Sequence, residues 1–308
     1  MRNPDTQPPT QDQDTPQGLA FALGAYILWG FLPLYMKALS HMGAAEVVAH
    51  RIIWSVPIAL VVLIATRRTG ALREALRNPR MLGMGCVTAA LISINWGIYV
   101  WAISVGQTVD AAIGYYINPL FSIFLAALVL GERLSRAQLA AIAVAGVAVL
   151  VLIVDAERTP WAAFGLMLSW GFYALAKKSL PIGPNQGFLL EVLILLAPSL
   201  GYVVWLGTTG EGHFATGDAF DTWMLVGCGL VTAVPLMFYA NGAKLLRLST
   251  IGILQYIAPT MIFLVAIFVF DEPVGRARMV AFPLIWLALV IYTTSMVRQM
   301  RARTAAPR

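Results

Sequence analysis

Two short phrases place polar, aromatic and proline residues inside long apolar stretches, where such side chains are costly unless they have a role. YYINP occupies residues 115–119 and QYIAP occupies residues 255–259, 140 positions further along. A proline inside a helix removes one hydrogen bond and kinks the helix, and in apolar surroundings the freed carbonyl persists only within protein or beside water. Pro119 and Pro259 are therefore predicted helix kinks that face a protein interior.

Amide and aromatic side chains elsewhere in the apolar stretches extend this pattern. Asn95 and Tyr99 lie one helical turn apart, and Asn118 and Gln255 belong to the two proline phrases. The set offers rings for stacking and amides for hydrogen bonds, which suits a small neutral or zwitterionic organic solute. For any single residue, the alternative is a hydrogen bond between neighbouring helices. The predicted substrate-pathway residues are Trp29, Asn95, Trp96, Tyr99, Tyr115, Tyr116, Asn118, Trp170, Tyr239, Asn241, Gln255 and Tyr256.

Three ionisable residues, His50, Arg51 and Glu191, also fall within apolar stretches. Ionisable groups at such positions are functional candidates because they are expensive to bury. An imidazole titrates near neutral pH and a buried carboxyl group can do so as well, so proton coupling through His50 or Glu191 is one hypothesis. The alternative is that both are polar anchors at helix ends, with Arg51 extending its side chain to lipid headgroups.

The sequence carries no motif that indicates an enzyme. Gly-x-Ser-x-Gly, Asp-Asp-x-x-Asp, His-Glu-x-x-His and the phosphate-binding P-loop are all missing. Cys86 and Cys228 stand alone in apolar runs, and the three histidines provide no metal-ligand spacing. We therefore predict no catalytic residue, no metal and no cofactor, and we exclude an ATP-driven pump built from this chain alone.

Composition places these residues in a membrane. Of the 308 residues, 59% are hydrophobic and 12% are charged, and the mean hydropathy is +0.76, whereas soluble domains contain about 25% charged residues. Ten apolar runs approach or reach the length of a helix that crosses a bilayer. The predicted spans are 18–39, 45–66, 81–103, 111–130, 137–154, 160–176, 187–206, 222–245, 249–270 and 277–297.

Positive charge indicates the orientation of these spans. With the N-terminus in the cytoplasm, 16 of the 21 Lys and Arg residues fall on the cytoplasmic side, as the positive-inside rule requires. Both termini are therefore predicted to be cytoplasmic. The flanking residues account for the net charge of +6, so no nucleic-acid partner is predicted.

The chain contains an internal repeat of five spans. A shift of 141 residues places His50 on Glu191, and a shift of 140 places Tyr116 on Tyr256. Because five is odd, the second copy enters the membrane from the opposite side, which gives the inverted repeats of many secondary transporters. The predicted fold class is an all-α integral membrane protein with ten transmembrane helices in two inverted five-helix repeats. Its predicted parts are a disordered cytoplasmic tail at 1–17, the first repeat at 18–155, the second at 156–298 and a cytoplasmic tail at 299–308.

Two glutamates, Glu132 and Glu272, are equivalent under the shift of 140. Each lies just before the next span. A carboxylate near a helix N-terminus is favourable because it faces the positive end of the helix dipole. We expect each glutamate to have a structural role, at the helix that follows it.

Five phrases carry a resemblance to a known family. They are AYILWGFLPLYMKAL (25–39), AHRIIWS (49–55), ISINWGIYVWAI (92–103), GYYINPLFSIFLAALVLGERLS (114–135) and LSTIGILQYIAPTMIFLVAIFVFDEP (248–273). On these phrases the chain resembles the EamA transporters of the drug/metabolite transporter (DMT) superfamily, especially the RarD-type branch, from about residue 18 to 298. It departs from the usual branch pattern at Asp271, where the glycine of a Gly-Glu pair often stands.

The resemblance implies a multi-pass carrier of the bacterial inner membrane. Its central cavity would be formed chiefly by the first, third, fourth, sixth, eighth and ninth spans and would open alternately to each side. Related members export amino acids, other metabolites or drugs. We therefore expect a secondary active or facilitative exporter of amphipathic neutral or zwitterionic solutes, such as aromatic amino acids. Its expected partners are the solute and the bilayer, with protons under the coupling hypothesis, and its expected state is a monomer or a homodimer.

Two other functions stay open at this point. A receptor or assembly protein that transports nothing would have a dry interior filled by side chains. An intramembrane enzyme would need a catalytic group that none of the motifs provides.

Overall fold

The computed structural model describes residues 15–66, 70–130, 134–154, 160–216, 218–242, 245–246 and 248–305. Over those ranges the chain is helical and contains no strand, which confirms the predicted all-α class. The helices are α1 (Pro16–Ala38), α2 (Ala44–Ala65), α3 (Gly70–Arg77), α4 (Pro79–Ser104), α5 (Thr108–Leu130), α6 (Arg136–Val154), α7 (Trp161–Ser179), α8 (Pro184–Thr209), α9 (Ala219–Gly242), α10 (Leu248–Leu254), α11 (Ile257–Phe268) and α12 (Arg276–Ala305).

Eight helices in the described part of the chain are long and apolar enough to cross a membrane, which confirms the membrane class. They are α1, α2, α4, α5, α6, α8, α9 and α12. The predicted spans 160–176 and 249–270 correspond to α7 and to the pair α10 and α11, which fall outside that group, so ten spans stay a prediction. The short helix α3 was not predicted. It is amphipathic, with Leu72 and Ala75 buried.

Local sequence signals explain where several helices begin. The Thr15 hydroxyl accepts a hydrogen bond from the Gly18 amide at 3.0 Å, and the Asn78 side chain accepts one from the Arg80 amide at 3.0 Å, so each caps a helix that starts at a proline. Helix α1 begins inside the predicted N-terminal tail, of which residues 1–14 lie outside the described part. Helix α12 likewise continues into the predicted C-terminal tail as far as Ala305.

The packing of the helices has a two-fold pattern. Helix α1 packs on α9 and α11, and its repeat counterpart α7 packs on α4 and α5. Helix α2 packs on its own counterpart α8, and α6 packs on its counterpart α12. Each of these contacts therefore maps onto another, or onto itself, when the two halves are exchanged. This pattern agrees with the repeat, while the boundary between 155 and 156 lies outside the described residues.

The two proline phrases take different backbone conformations. Helix α5 continues through Pro119 from Thr108 to Leu130. In the second half, α10 ends at Leu254 and α11 begins at Ile257, so the chain leaves the helix at residues 255 and 256. Pro259 then lies in the first turn of α11, where the missing N–H leaves no hydrogen bond unmade. The break therefore precedes this proline by about one turn.

Glu272 caps a different helix from the one that was expected. Its carboxylate accepts hydrogen bonds from the Thr108 and Val109 amides, both at 2.9 Å. The side chain is buried, and it stabilises the N-terminus of α5 rather than that of α12, so the expectation for the following helix was wrong. The preceding residue, Asp271, has a φ of 51°, a conformation that favours glycine. Glu132 lies outside the described residues.

Candidate functional site

Arg51 lies in the interior of the bundle. Its side chain is on α2 and is only 3% exposed. The Nε–H group donates a hydrogen bond to the Thr232 hydroxyl of α9 at 3.0 Å, and the guanidinium carbon lies 4.8 Å from the centroid of the Trp96 ring on α4. The expectation that Arg51 extends to lipid headgroups was therefore wrong, because its helix face is covered by α4 and α9.

No carboxylate is paired with Arg51 among the described residues. Each of the described buried carboxylates has its own partner: Glu191 pairs with Lys177 and Asp110 with Arg278. Glu46 contacts His213, Asp221 contacts His41, and Glu272 is bound to backbone amides. The Nη1 atom of Arg51 has no hydrogen-bond partner in the same part of the chain. Arg51 is therefore a buried cation whose Nη1–H groups have no acceptor among the described residues.

Aromatic and amide residues from the predicted pathway surround this cation. The Tyr99 and Tyr115 rings lie 5.7 Å apart, and Tyr99 follows Trp96 by about one turn of α4. The Tyr115 hydroxyl donates to Asn95 Oδ1 at 3.2 Å, and its ring meets Trp170 edge-on at 6.4 Å. Together with Trp96, these residues form what we call the Arg51 cluster: Arg51, Asn95, Trp96, Tyr99, Tyr115, Trp170 and Thr232.

Asn95 also joins two helices. Its Nδ2 donates to the Ser169 hydroxyl at 2.9 Å and to the Leu166 carbonyl at 3.3 Å, both on α7. The alternative role of bonding neighbouring helices therefore holds for Asn95, beside its place in the Arg51 cluster. Since Asn95 is fully buried, it sets the position of the Tyr115 hydroxyl.

A second aromatic group lies between α1 and α9. The Trp29 and Tyr239 rings are 5.7 Å apart, and Tyr26 contacts both rings at 5.7 and 6.0 Å. Tyr26 was not among the predicted residues, although its position one turn from Trp29 places both on one helix face. Asn241, in contrast, donates to the Met237 carbonyl of its own helix at 2.9 Å.

The third group contains the tyrosines of the two proline phrases. Tyr116 and Tyr256 stack with centroids 6.5 Å apart, and the Tyr116 hydroxyl shares a hydrogen bond of 2.6 Å with the Thr260 hydroxyl. A cavity of about 390 Å³ lies beside them. Helix α12, which was assigned no part in the pathway, contributes Trp286 and Val290 to its walls.

The proline phrases also contain the two amides Asn118 and Gln255. Asn118 is 5% exposed, and its Oδ1 atom has no hydrogen-bond partner among the described residues. Gln255 lies at the break between α10 and α11 and is partly buried.

His50 and Glu191 are both buried but do not meet. The Trp54 indole donates to His50 Nδ1 at 3.2 Å. Glu191 forms an ion pair with Lys177 and accepts a hydrogen bond from the Tyr173 hydroxyl at 3.2 Å. The interpretation of both residues as helix-end anchors was wrong, since they are 2% and 1% exposed. Proton coupling through either one stays a hypothesis.

Histidine–carboxylate pairs link the two halves at one end of the bundle. His41 contacts both carboxylate oxygens of Asp221 at 3.1 Å. The His213 ring lies 2.8 Å from Glu46, which also accepts a hydrogen bond from the His213 amide at 2.7 Å. The two imidazole rings are 5.6 Å apart. We call these four residues the histidine cluster, which was not predicted because its members come from distant parts of the chain.

The described part of the interior therefore combines a cation, aromatic rings and amides. In the described part of the chain, no group of three or more His, Cys, Asp or Glu residues could hold a metal ion. Rings and hydrogen-bonding groups around one buried charge can bind an amphipathic solute by stacking and hydrogen bonding.

The chain is similar in sequence to known membrane transporters. Residues 16–154 match the EamA-like transporter family. The whole chain is 43% identical to Protein RarD of Streptomyces exfoliatus over 94% of this chain and 91% of that protein. It is 37% identical to the uncharacterized transporter YojE of Bacillus subtilis over 95% and 98% of the two chains. A protein of known crystal structure, 18% identical, shares the fold with a TM-score of 0.60 over 91% of this chain and 98% of that one.

Proposed function

We propose that this chain, which belongs to the RarD-type branch of the EamA-like transporter family, moves small amphipathic organic solutes by alternating access. The family makes it a multi-pass bacterial membrane transporter. The proposed solutes are neutral or zwitterionic molecules such as aromatic amino acids, and export is the proposed direction. The proposed location is the inner membrane, with both termini in the cytoplasm.

The observation that carries this proposal is the Arg51 cluster. It brings three buried residues of α4, Asn95, Trp96 and Tyr99, together with the partly buried Tyr115 of α5 and Trp170 of α7. Buried polar groups without partners are costly, so they are retained where they serve a ligand. Tyr99 Oη has no hydrogen-bond partner among the described residues, which supports binding of a polar ligand group there.

Alternating access would use two inverted halves that meet around these groups. The two-fold pattern of helix packing supports this mechanism, since inverted repeats supply two nearly equal arrangements of the same elements. Under the proposed orientation the histidine cluster lies on the outer side. One pair joins α2 to the α8–α9 connection, and the other joins the α1–α2 connection to α9. We therefore propose that the two pairs close the outer entrance in the state described.

A receptor or assembly protein without transport is the second candidate. Interior tyrosines and Asn95 that are packed against one another would also serve that role. The unpartnered buried atoms around Arg51 favour the carrier, because a purely structural interior satisfies its polar groups. An intramembrane enzyme has no comparable support.

The test is counterflow in proteoliposomes loaded with single unlabelled amino acids. Wild-type protein is expected to accumulate at least one labelled aromatic amino acid. Asn95→Leu, Tyr99→Leu and Gln255→Leu are expected to reduce uptake while the protein stays folded in the membrane. Tyr202→Leu is the matched control, because Tyr202 stacks on Trp205 outside the proposed pathway. Normal transport by all three variants would refute the pathway assignment.

A further inference from the structure

Burying the charged guanidinium of Arg51 costs free energy that its contacts with the described residues do not offset. Taking a guanidinium out of water is expensive unless a carboxylate and further hydrogen bonds compensate it. Arg51 is 3% exposed. Among the described residues it is paired with no carboxylate and has one hydrogen bond, to Thr232. The ring of Trp96, 4.8 Å away, offers a cation–π contact, which is weaker than an ion pair.

Other buried polar atoms without a hydrogen-bond partner lie on the helices that carry Arg51 and Trp96. Arg51 Nη1, Ser55 Oγ and Tyr99 Oη are buried and have no partner in the described part of the chain. Ser55 follows Arg51 by one turn of α2, so both lie on the same helix face. Tyr99 follows Trp96, whose ring contacts the guanidinium, by about one turn of α4. Two neutral hydroxyls beside a guanidinium form a set of donors, which matches an anionic ligand group.

The surroundings also restrict the size and charge of that group. A planar guanidinium is suited to a carboxylate, which it binds through two parallel hydrogen bonds. A strongly charged anion such as a phosphate would call for more than one interior cation, and Arg51 is the one cation of the Arg51 cluster. The rings of Trp96, Tyr115 and Trp170 in the cluster suit an apolar or aromatic body beside a single carboxylate.

We infer that Arg51 is the substrate-recognition residue of this transporter and that it binds the carboxylate of an amphipathic monocarboxylate, such as an amino acid. The inference rests on the proposed function and narrows its substrate class, since solutes without a carboxylate are excluded. Thr232 positions the guanidinium through Nε and leaves the Nη side for the ligand.

The test compares amino acids with their amides, which differ only in the carboxylate, and adds 3-phenylpropanoate, which keeps the carboxylate but lacks the ammonium group. Phenylalanine, phenylalaninamide and 3-phenylpropanoate share one ring, and leucine with leucinamide and tryptophan with tryptophanamide extend the panel. Binding is measured as thermal stabilisation of the purified full-length protein in detergent, and transport as counterflow in proteoliposomes. Wild-type protein is expected to prefer each acid over its amide by about tenfold or more, because a hydrogen-bonded charge pair is lost with the amide.

Variants locate that preference at Arg51. In Arg51→Gln the preference for acids is expected to fall below about twofold, whereas Arg51→Lys keeps part of it because the charge remains. Thr232→Val is expected to weaken binding of the acids with little effect on the amides. Lys37→Gln is the matched control, since it removes a cation at an exposed position and is expected to keep the wild-type preference.

The possible outcomes separate this inference from the proposed function. Equal transport of acids and amides by wild-type protein would overturn the inference and leave the transporter intact. Carboxylate binding that depends on Arg51, without counterflow of any solute, would support the inference and overturn the proposed function. If Arg51→Gln does not fold, the inference is tested by the preference of the wild-type protein for acids over amides and by the reduced preference expected in Arg51→Lys. Absence of binding by every acid overturns the inference.

Discussion

Tyr116 of α5 and Tyr256, at the break between α10 and α11, stack on one another with their ring planes 18° apart. These residues are equivalent under the repeat shift of 140 positions. Residues that correspond under a two-fold relation touch only near its axis. The stack of Tyr116 on Tyr256 therefore lies where the two halves meet.

The hydrogen bond between Tyr116 and Thr260 is expected to stabilise this junction. Tyr116→Phe and Thr260→Val should each lower the free energy of unfolding by about 1 kcal/mol, the usual net value of a buried hydrogen bond. The double variant should cost less than the sum, because both single changes remove the same bond of 2.6 Å. Thermal unfolding in detergent measures the effects. Full additivity would show that the hydroxyls are not coupled.

Glu272 is expected to stabilise α5 from the other half of the chain. Glu272→Ala removes acceptors from the Thr108 and Val109 amides, and should cost about 1–2 kcal/mol as the loss of a helix cap. Glu272→Gln should cost less, since one oxygen acceptor remains. Glu211→Ala is the control because Glu211 is exposed. Equal melting temperatures for Glu272→Ala and the control would contradict the capping role.

Asp271 is expected to be a strained position that glycine would relieve. Its φ of 51° costs an L-residue about 1 kcal/mol or more, which glycine does not lose. Asp271→Gly should therefore raise the melting temperature, and Asp271→Val should lower it because a β-branched residue tolerates this conformation poorly. A melting temperature that is highest with valine would show that the turn is held by other contacts.

The apolar spans were predictable because their length and composition are local properties. The run predicted at 81–103 became α4 (Pro79–Ser104), and the run at 45–66 became α2 (Ala44–Ala65). Asn78 and Pro79 at the start of α4 are a further local signal, which the prediction of 81–103 did not use. Helix α3 was not predicted because eight residues, three of them charged, give too short a pattern to separate from a loop.

The surroundings of Arg51 and the histidine cluster could not be derived from local pattern. Arg51 meets Thr232, 181 positions away, and His213 meets Glu46, 167 positions away. At about two turns from a helix end, a buried arginine and one that extends to headgroups have the same sequence context. Only the packing of α2 against α4 and α9 distinguishes them.

Gly229 is expected to be required for the contact between α2 and α9. A Cβ atom at this position would overlap the backbone carbonyl of Trp54, which cannot rotate away. Gly229→Ala should therefore cost about 1–3 kcal/mol, as overpacking does, and lower the yield of folded protein. Gly83→Ala is the control, because a Cβ there meets nothing within 4 Å. Equal thermal stability of the two variants would show that α2 and α9 can separate without cost.

Proton coupling, proposed through His50 or Glu191, predicts that a pH gradient drives transport through at least one of them. Glu191→Gln keeps the shape but loses the charge that pairs with Lys177, and His50→Ala removes the imidazole that accepts from Trp54. The measurement is solute uptake with and without a pH gradient. Uptake should no longer depend on the gradient in at least one of these two variants. It should still depend on the gradient in Glu211→Gln, whose carboxyl is exposed. If uptake still depends on the pH gradient in both variants, neither residue couples transport to protons.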